Sequence, residues 1–148
     1  MATAPARLNI TVWDAATGVV VRVLEPGANI VAWSPVGGML AGRAYGKVRV
    51  WQAHTGTLEH TLLVPGDIIC GMAWRFDGRH LATGSIDGTV RVWEATVGSV
   101  RVICQLLGQC VRSVAWSPCR SLLLASTKNA VHVFSVSQGQ LDTQPAPV

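Results

Sequence analysis

The sequence predicts an all-β protein built from about three copies of a four-stranded antiparallel unit. First, the six tryptophans of the 148-residue chain fall into two interleaved periodic series. Second, a short alternating run occurs three times, at Lys47–Trp51, Thr89–Trp93 and Ala130–Phe134, and alternation at period two is typical of strands. Third, glycine-containing turn signals separate these runs at short intervals. No stretch carries a sustained apolar pattern at helical spacing.

The two tryptophan series give the length of the repeat. One series, with spacings of 38, 42 and 41 residues, consists of Trp13, Trp51, Trp93 and then Phe134. The other, with spacings of 41 and 42 residues, consists of Trp33, Trp74 and Trp116. A period of roughly 40–45 residues is that of one four-stranded blade of a β-propeller. We therefore expect all six tryptophans to be structural and to pack in blade cores.

Aligning the copies divides the chain into a half-blade and three blades. The expected segments are an N-terminal extension (1–8), the half-blade (9–27), blade 1 (28–66), blade 2 (67–108), blade 3 (109–136) and a flexible tail (137–148). The expected strands are 8–13 and 19–24; 29–33, 39–43, 47–52 and 57–63; 68–74, 80–85, 89–94 and 99–106; and 110–116, 121–126 and 130–135. Blade 3 shows no convincing outer strand, so the chain holds just over three blades.

Blade 2 carries the residues by which the chain resembles the WD-repeat (WD40) family. Its segment Arg79–Glu94, RHLATGSIDGTVRVWE, is close to the core consensus of that family, and Trp74–Gly78 precedes it. The resemblance covers about residues 9–136. It implies a partial WD40-type β-propeller that works as a protein–protein interaction scaffold or adaptor.

The resemblance also implies a hydrogen-bonded His–Asp–Ser/Thr–Trp set that links the layers of each blade. In blade 2 the tryptophan of this set maps to Trp93, the aspartate to Asp87, and the serine or threonine to Thr83 or Ser85. No blade keeps the histidine, and only blade 2 keeps the aspartate. Since an incomplete polar network does not offset its own desolvation, we expect the blades to be held mainly by aromatic and aliphatic packing.

The resemblance implies that partners bind at one edge of the blades, on the loop before each inner strand and the turn between the second and third strands. The candidate partner-binding residues at these positions are Arg43, Tyr45, Asp67, Ile86, Asp87, Gln109 and Lys128. Tyr45 and Arg43 are the strongest candidates, because tyrosine and arginine are enriched in interface hot spots. The expected partners are other proteins or peptides.

Motifs and composition argue against other classes of function. No nucleophile elbow, P-loop or HExxH motif is present, so we expect no enzyme, no catalytic residues and no cofactor. The four cysteines lack zinc-ligand spacing, which predicts no metal site and favours reduced, buried thiols. The arginines are scattered, which disfavours nucleic-acid binding, although RNA stays a weaker alternative. No apolar window is long enough for a membrane span, and no signal-peptide pattern is present. We expect a cytoplasmic or nuclear protein.

The number of blades raises the question of closure, because a closed propeller typically needs 4–8 blades. Three arrangements are open: a fragment or isoform of a longer propeller, which we favour; a ring completed by other chains, including self-association; or an open arc capped by a partner. A purely structural role in a large assembly is the alternative to an adaptor. Short segments of blades 2 and 3 are also similar to a WD-repeat protein of the nuclear pore, which would imply a nuclear-envelope location.

Overall fold

A computed structural model describes residues 9–64, 68–118, 122–137 and 140–144. Within these ranges the chain forms fourteen β-strands and no helix. The strands make four antiparallel sheets, one of two strands and three of four strands, and within each sheet the strands pair in the order of the sequence. The prediction of an all-β, partial WD40-type β-propeller is confirmed.

The sheets follow the order of the chain, and their strand bounds lie close to those expected from the sequence. The half-blade contains β1 (Ile10–Trp13) and β2 (Val20–Leu24). Blade 1 contains β3 (Ile30–Trp33), β4 (Met39–Ala44), β5 (Lys47–Gln52) and β6 (Thr57–Leu63). Blade 2 contains β7 (Ile69–Trp74), β8 (His80–Ser85), β9 (Thr89–Glu94) and β10 (Ser99–Gln105). Blade 3 contains β11 (Ser113–Trp116), β12 (Leu122–Ser126), β13 (Val131–Ser137) and β14 (Gln140–Gln144).

The hydrophobic core lies between the sheets, which pack face to face. Side chains alternate between the two faces of each sheet, and where two sheets stack, the apolar side chains that face each other are buried. Between blades 1 and 2 the buried cluster joins Val48 and Val50 to Leu81 and Trp93. A second cluster joins blade 2 to blade 3 around Phe134, and a third joins the half-blade to blade 1. Each blade is therefore stabilised by its neighbours.

Two glycines allow blades 2 and 3 to approach closely. A Cβ atom on Gly71 would lie 2.8 Å from the Cα atom of Ser113. A Cβ atom on Gly84 would lie 2.4 Å from a methyl carbon of Val111. Both distances are too short for any other residue, so the contact between these two blades depends on glycine at both positions.

The C-terminal end differs from the expectation of a flexible tail over 137–148. Strand β14 pairs with β13 along Val133–Ser137 and gives blade 3 the outer strand that the sequence did not indicate. A strand at the edge of a sheet is held by backbone hydrogen bonds, so it can form without the apolar alternation by which the inner strands are recognised. The predicted extension 1–8 and residues 138, 139 and 145–148 lie outside the described residues.

Two of the six tryptophans are not in a blade core, contrary to expectation. Trp51, Trp74 and Trp93 are buried and Trp116 is half-buried. Trp13 and Trp33, however, are 60% and 55% exposed. The reason is that the half-blade has only two strands in the described part of the chain, so no first or second strand there covers these two rings.

Candidate protein-binding site

One edge of the blades presents the turns between their second and third strands. In blade 1 this turn has two residues, Tyr45 and Gly46, with φ of 47° and 71°, the combination that a type I′ hairpin turn requires. It leaves the Tyr45 side chain 85% exposed. The longer turns of blades 2 and 3 expose Ile86 and Lys128 in the same way.

The loops that join successive blades lie against these turns. The N–H of Ile86 donates to the carbonyl of Ile68, 2.9 Å away, and the N–H of Leu106 donates to the carbonyl of Gly88 at the same distance. Turns and loops therefore share one surface. We call this surface the rim and define it by Tyr45, Ile68, Ile86, Asp87, Leu107, Gln109 and Lys128.

Ile68 and Leu107 are rim residues that the sequence argument did not select. Their side chains are 58% and 82% exposed, although both are aliphatic. For Leu107 the signal was present in the sequence, because it is an apolar residue in the predicted loop between the expected strands 99–106 and 110–116. Ile68 gave no such signal, because it fell within the expected strand 68–74. Exposed apolar side chains that cluster on a surface are typical of interaction sites.

Arg43 has a different environment from the one expected. Its guanidinium donates to the carbonyl of Ile69 in blade 2, and its Nε atom donates to Asn29 Oδ1 at 3.2 Å. The side chain is half-buried and bridges two blades. Arg43 therefore holds the two blades together at the rim instead of presenting a free cation there. Selecting binding residues by residue type alone cannot detect this structural role.

The remaining predicted residues vary in their exposure. Asp87 is exposed, and its carboxylate accepts the N–H of Thr89 at 2.8 Å and the Thr89 hydroxyl at 2.5 Å, which fixes the turn. Gln109 is half-buried, with Oε1 3.3 Å from His132 Nε2. Asp67 lies outside the described residues. The exposed side chains of the rim are thus mostly apolar, with one aspartate and one lysine.

Among the described residues, the polar set of blade 2 includes one buried hydrogen-bonded pair. The indole N–H of Trp93 donates to the hydroxyl of Thr83 at 3.0 Å. The hydroxyl of Ser85 is buried without a partner among the described residues. Of the two positions that the sequence left open, Thr83 is the one that binds the tryptophan.

Two cysteine thiols in blade 2 have raised pKa values. Burial raises the pKa of the Cys70 thiol, and the neighbouring Cys110 raises it further; burial likewise raises the pKa of Cys104. These thiols stay protonated at neutral pH and are weak nucleophiles. Over the described ranges, no group of three or more His, Cys, Asp or Glu residues could hold a metal ion. In the same ranges, no helix is long and apolar enough to cross a membrane.

Comparison with known families identifies one repeat. Residues 56–94 match the family model described as WD domain, G-beta repeat. This segment runs from the last strand of blade 1, β6, through the first three strands of blade 2, so the sequence repeat is offset from the sheets and links two of them. No curated protein matches the chain. The similarity to aladin, the nuclear pore protein whose segments resemble blades 2 and 3, therefore gains no support.

Proposed function

We propose that this chain is a protein-interaction scaffold or adaptor, and that its rim is the surface that binds other proteins or peptides. The WD40 repeat at residues 56–94 is in general associated with protein–protein interaction and is typical of non-enzymatic scaffolds. The observation that carries the proposal is the group of exposed apolar side chains on turns held by backbone hydrogen bonds. A preorganised surface loses little conformational entropy when it binds.

The chemistry of the rim indicates the kind of segment that fits it. Ile68 and Ile86 are joined by a backbone hydrogen bond, so two exposed apolar residues lie on adjacent segments of the rim. Tyr45 adds an aromatic ring and hydroxyl above blade 1, and Lys128 adds a positive charge above blade 3. The partner segment therefore carries apolar side chains and, toward blade 3, a carboxylate.

The test is a triple variant of the rim, Tyr45→Ser, Ile86→Ser and Leu107→Ser. Proteins cross-linked to the full chain in cells are quantified by mass spectrometry. We expect the main partner to fall by at least about tenfold, since hot-spot side chains contribute about 1–2 kcal/mol each. The three side chains are exposed, so the fold should persist, and circular dichroism checks this.

The matched control replaces exposed apolar residues at the opposite edge of the blades. Val36, Phe76 and Val97 lie on turns at that edge and are 58%, 45% and 60% exposed. Their serine variants should capture the same partners as the parent chain. Equal losses in both triple variants, or no loss in the rim variant, would disprove binding at the rim.

A structural component of a large assembly, such as a nuclear pore, is the alternative function. An adaptor exchanges its partners, whereas a structural component co-purifies at a fixed ratio. Measuring partner stoichiometry at several expression levels separates the two. A constant ratio at every level would favour the structural role.

We also propose that the protein works in the cytoplasm or the nucleus. Cys70, Cys104 and Cys110 are free thiols, which fits a reducing compartment. Fluorescence microscopy of the tagged full chain tests this location, and a signal confined to the secretory pathway would contradict it.

A further inference from the structure

Two cysteine side chains meet where blade 2 contacts the loop that leads to blade 3. Cys70 lies on β7, and Cys110 lies in the loop between β10 and β11. The two thiols hydrogen-bond to each other, and both side chains are half-buried. Two sulfur atoms that are far apart in the sequence are therefore in contact in the folded chain, at a place that solvent still reaches.

Backbone contacts through Ser85 hold this pair in place. Ser85 on β8 lies opposite Ile69 in the pairing of β7 with β8, and its carbonyl accepts the N–H of Val111 at 3.1 Å. Ile69 directly precedes Cys70 in the chain. Val111 directly follows Cys110. One residue of β8 therefore fixes the backbone beside both cysteines.

A β-bulge in β7 also contributes to the position of the Cys70 sulfur. The register of β7 against β8 shifts between Ile69 and Gly71, so Cys70 stands opposite no residue of β8. A bulge re-aims the side chain of its extra residue. The next residue, Gly71, brings β7 close to blade 3, since a Cβ atom there would lie 2.8 Å from the Cα atom of Ser113. The thiol contact is thus built on a close approach of two backbones.

The surroundings of the pair control how readily it reacts. Burial and the neighbouring Cys110 raise the pKa of the Cys70 thiol, while the guanidinium of Arg43, which reaches across from blade 1, lowers it. The pKa is raised on balance, so only a small fraction of the thiol is ionised at neutral pH. Because the thiolate is the reactive form, we expect oxidation to be slow at neutral pH.

We propose that Cys70 and Cys110 form a reversible disulfide that links blade 2 to the loop before blade 3, with glutathione disulfide as the oxidant. The thiolate of one cysteine attacks a sulfur of the oxidant, which forms a mixed disulfide and releases one glutathione thiolate. The second cysteine loses its proton and attacks the protein-bound sulfur, which forms the Cys70–Cys110 bond and releases the second glutathione. The protein loses two electrons and two protons, and the oxidant is reduced to two thiols.

The proposal goes beyond the proposed function, because it concerns a modification of the chain itself and not a partner. The disulfide ties the segment 106–111, which carries the rim residues Leu107 and Gln109, to the first strand of blade 2. In a reducing compartment the pair stays reduced and becomes oxidised only when glutathione disulfide accumulates.

The first test maps the disulfide in the full chain. The folded chain is equilibrated with mixtures of reduced and oxidised glutathione, quenched with acid, alkylated and digested with trypsin. Cleavage after arginine places Cys70 in peptide 50–75, and Cys110 together with Cys104 in peptide 102–112. We expect these two peptides to be linked, with fragment ions that place the bond on Cys110. Absence of this product, or equal linkage of Cys70 to every other cysteine, would overturn the proposal.

The second test uses the variant Cys104→Ser with Cys119→Ser, which leaves only the proposed pair. Oxidised glutathione should convert it to a monomer that lacks two hydrogen atoms, and dithiothreitol should reverse the change. The midpoint of thermal unfolding should rise by about 5 °C or more, since a disulfide that closes a loop of about 40 residues constrains the unfolded chain. A lower midpoint after oxidation would show that the disulfide does not fit the folded chain.

Adding Cys110→Ser to that variant gives the matched control. Cys70 then has no second thiol to react with, so the reaction should stop at the mixed disulfide with one glutathione, and the midpoint should not rise. Amide exchange over 106–111 should slow in the oxidised two-cysteine variant and stay unchanged in the control. Equal exchange in both would contradict the cross-link.

The triple serine variant of the rim separates this proposal from the proposed function. Its four cysteines are intact, so it should form the Cys70–Cys110 disulfide as the parent chain does. A disulfide that forms in a chain without rim binding would support the modification and leave the rim to be judged by its own test. Absence of the disulfide from both the parent chain and the rim variant would refute only the modification.

Discussion

Blades 1 and 2 bury the same residue in different chemical environments. Trp51 in blade 1 and Trp93 in blade 2 both lie on the third strand and are both buried. Trp93 donates its N–H to Thr83, whereas the N–H of Trp51 is buried with no partner among the described residues. The position equivalent to Thr83 is Gly42, since each lies opposite the arginine two residues before the tryptophan.

Blade 1 has glycine at this position because Ala28 and the Trp51 ring pack closely against Gly42. A Cβ atom on Gly42 would lie 2.6 Å from the Cβ atom of Ala28 and 2.9 Å from the Trp51 ring. Blade 1 therefore has no room for the threonine that would accept the hydrogen bond. It keeps the large apolar ring and leaves its N–H unsatisfied, at an expected cost of about 1–3 kcal/mol.

Blade 3 shows a third arrangement of the same pair. Phe134 replaces the tryptophan and Ala125 replaces the threonine, and both are fully buried. Replacing both partners of a hydrogen bond by apolar groups is nearly neutral, whereas removing one is costly. All three blades therefore retain a buried aromatic ring on the third strand, whereas only blade 2 retains the hydrogen bond to the second strand.

The largest expected effect on stability comes from a glycine in the turn between the second and third strands of blade 2. A Cβ atom on Gly88 of blade 2 would lie 2.3 Å from the carbonyl oxygen of Leu106 and 2.5 Å from that of Gln109. Gly88 also has a φ of 87°. We expect Gly88→Ala to lower the free energy of unfolding by about 3 kcal/mol or more, because backbone strain and a clash with backbone add together. Urea denaturation followed by circular dichroism measures this change.

Gly108 provides the control for that variant. Its φ is 71°, but a Cβ atom there would meet nothing within 4 Å. Gly108→Ala should therefore show only the strain of the left-handed conformation, about 1 kcal/mol. If the two variants lose equal stability, then the contact of the blade 2 turn with residues 106–109 is not the reason why glycine is needed at position 88.

The Thr83–Trp93 hydrogen bond gives the next largest effect. Thr83→Val keeps the shape of the side chain but leaves the Trp93 N–H buried without an acceptor, which we expect to cost about 2 kcal/mol. Ser85→Ala is the control, since the Ser85 hydroxyl is buried without a partner among the described residues, and it should be neutral or stabilising. Thermal unfolding of both variants measures the difference. Equal destabilisation would show that the hydrogen bond contributes nothing specific.

The two buried tryptophans can be compared directly by the same substitution. Trp51→Phe and Trp93→Phe each remove similar volume from a blade core. Only Trp93→Phe also leaves a buried hydroxyl, that of Thr83, without its donor. We expect Trp51→Phe to be less destabilising by about 1 kcal/mol, measured by denaturation of both variants in parallel. The reverse order would indicate that the Trp51 N–H has an unrecognised partner.

The positions of the strands could be predicted from the sequence, because the tryptophans repeat at blade spacing and alternation marks each strand. The contact of Gly42 with the Trp51 ring could not be predicted. Blade 1 joins its second and third strands by two residues, and blade 2 joins them by three. This difference shifts the second strand by one position, so counting back from the tryptophan aligns Ala41, instead of Gly42, with Thr83.

The candidate site was predicted only in part, for physical reasons. The exposure of Tyr45 and Ile86 could be predicted because both lie in turns. The role of Arg43 could not, because it depends on a long side chain that reaches blade 2. The exposure of Trp13 and Trp33 depends on which strands neighbour them, and residue type gives no indication of this. The local sequence pattern therefore predicts the strands and turns, whereas the side-chain contacts between blades can be found only in the three-dimensional structure.

The smallest expected effect concerns the turn between the first two strands, where only blade 2 has a carboxylate. Burial raises the pKa of Asp77, but hydrogen bonds from the N–H groups of Arg79 and His80 and from the His80 ring outweigh it, so the pKa lies below its ordinary value. A group with a lowered pKa in the folded state stabilises the protein above its unfolded pKa, near 3.9. That stability is lost as pH falls through the folded value.

Asp77→Asn should therefore lower the free energy of unfolding at pH 7 by no more than about 1 kcal/mol, since solvent screens this turn. The difference from the parent chain should shrink as the pH falls from the unfolded pKa, near 3.9, through the lower folded pKa, because the parent carboxylate becomes protonated over that range. Thermal unfolding across this range measures it. Blade 1 places Ser34–Met39 at the same turn without a carboxylate, so Ser34→Ala should show no such pH dependence. A difference for Asp77→Asn that stays constant with pH would mean that this residue acts through the geometry of the turn and not through its charge.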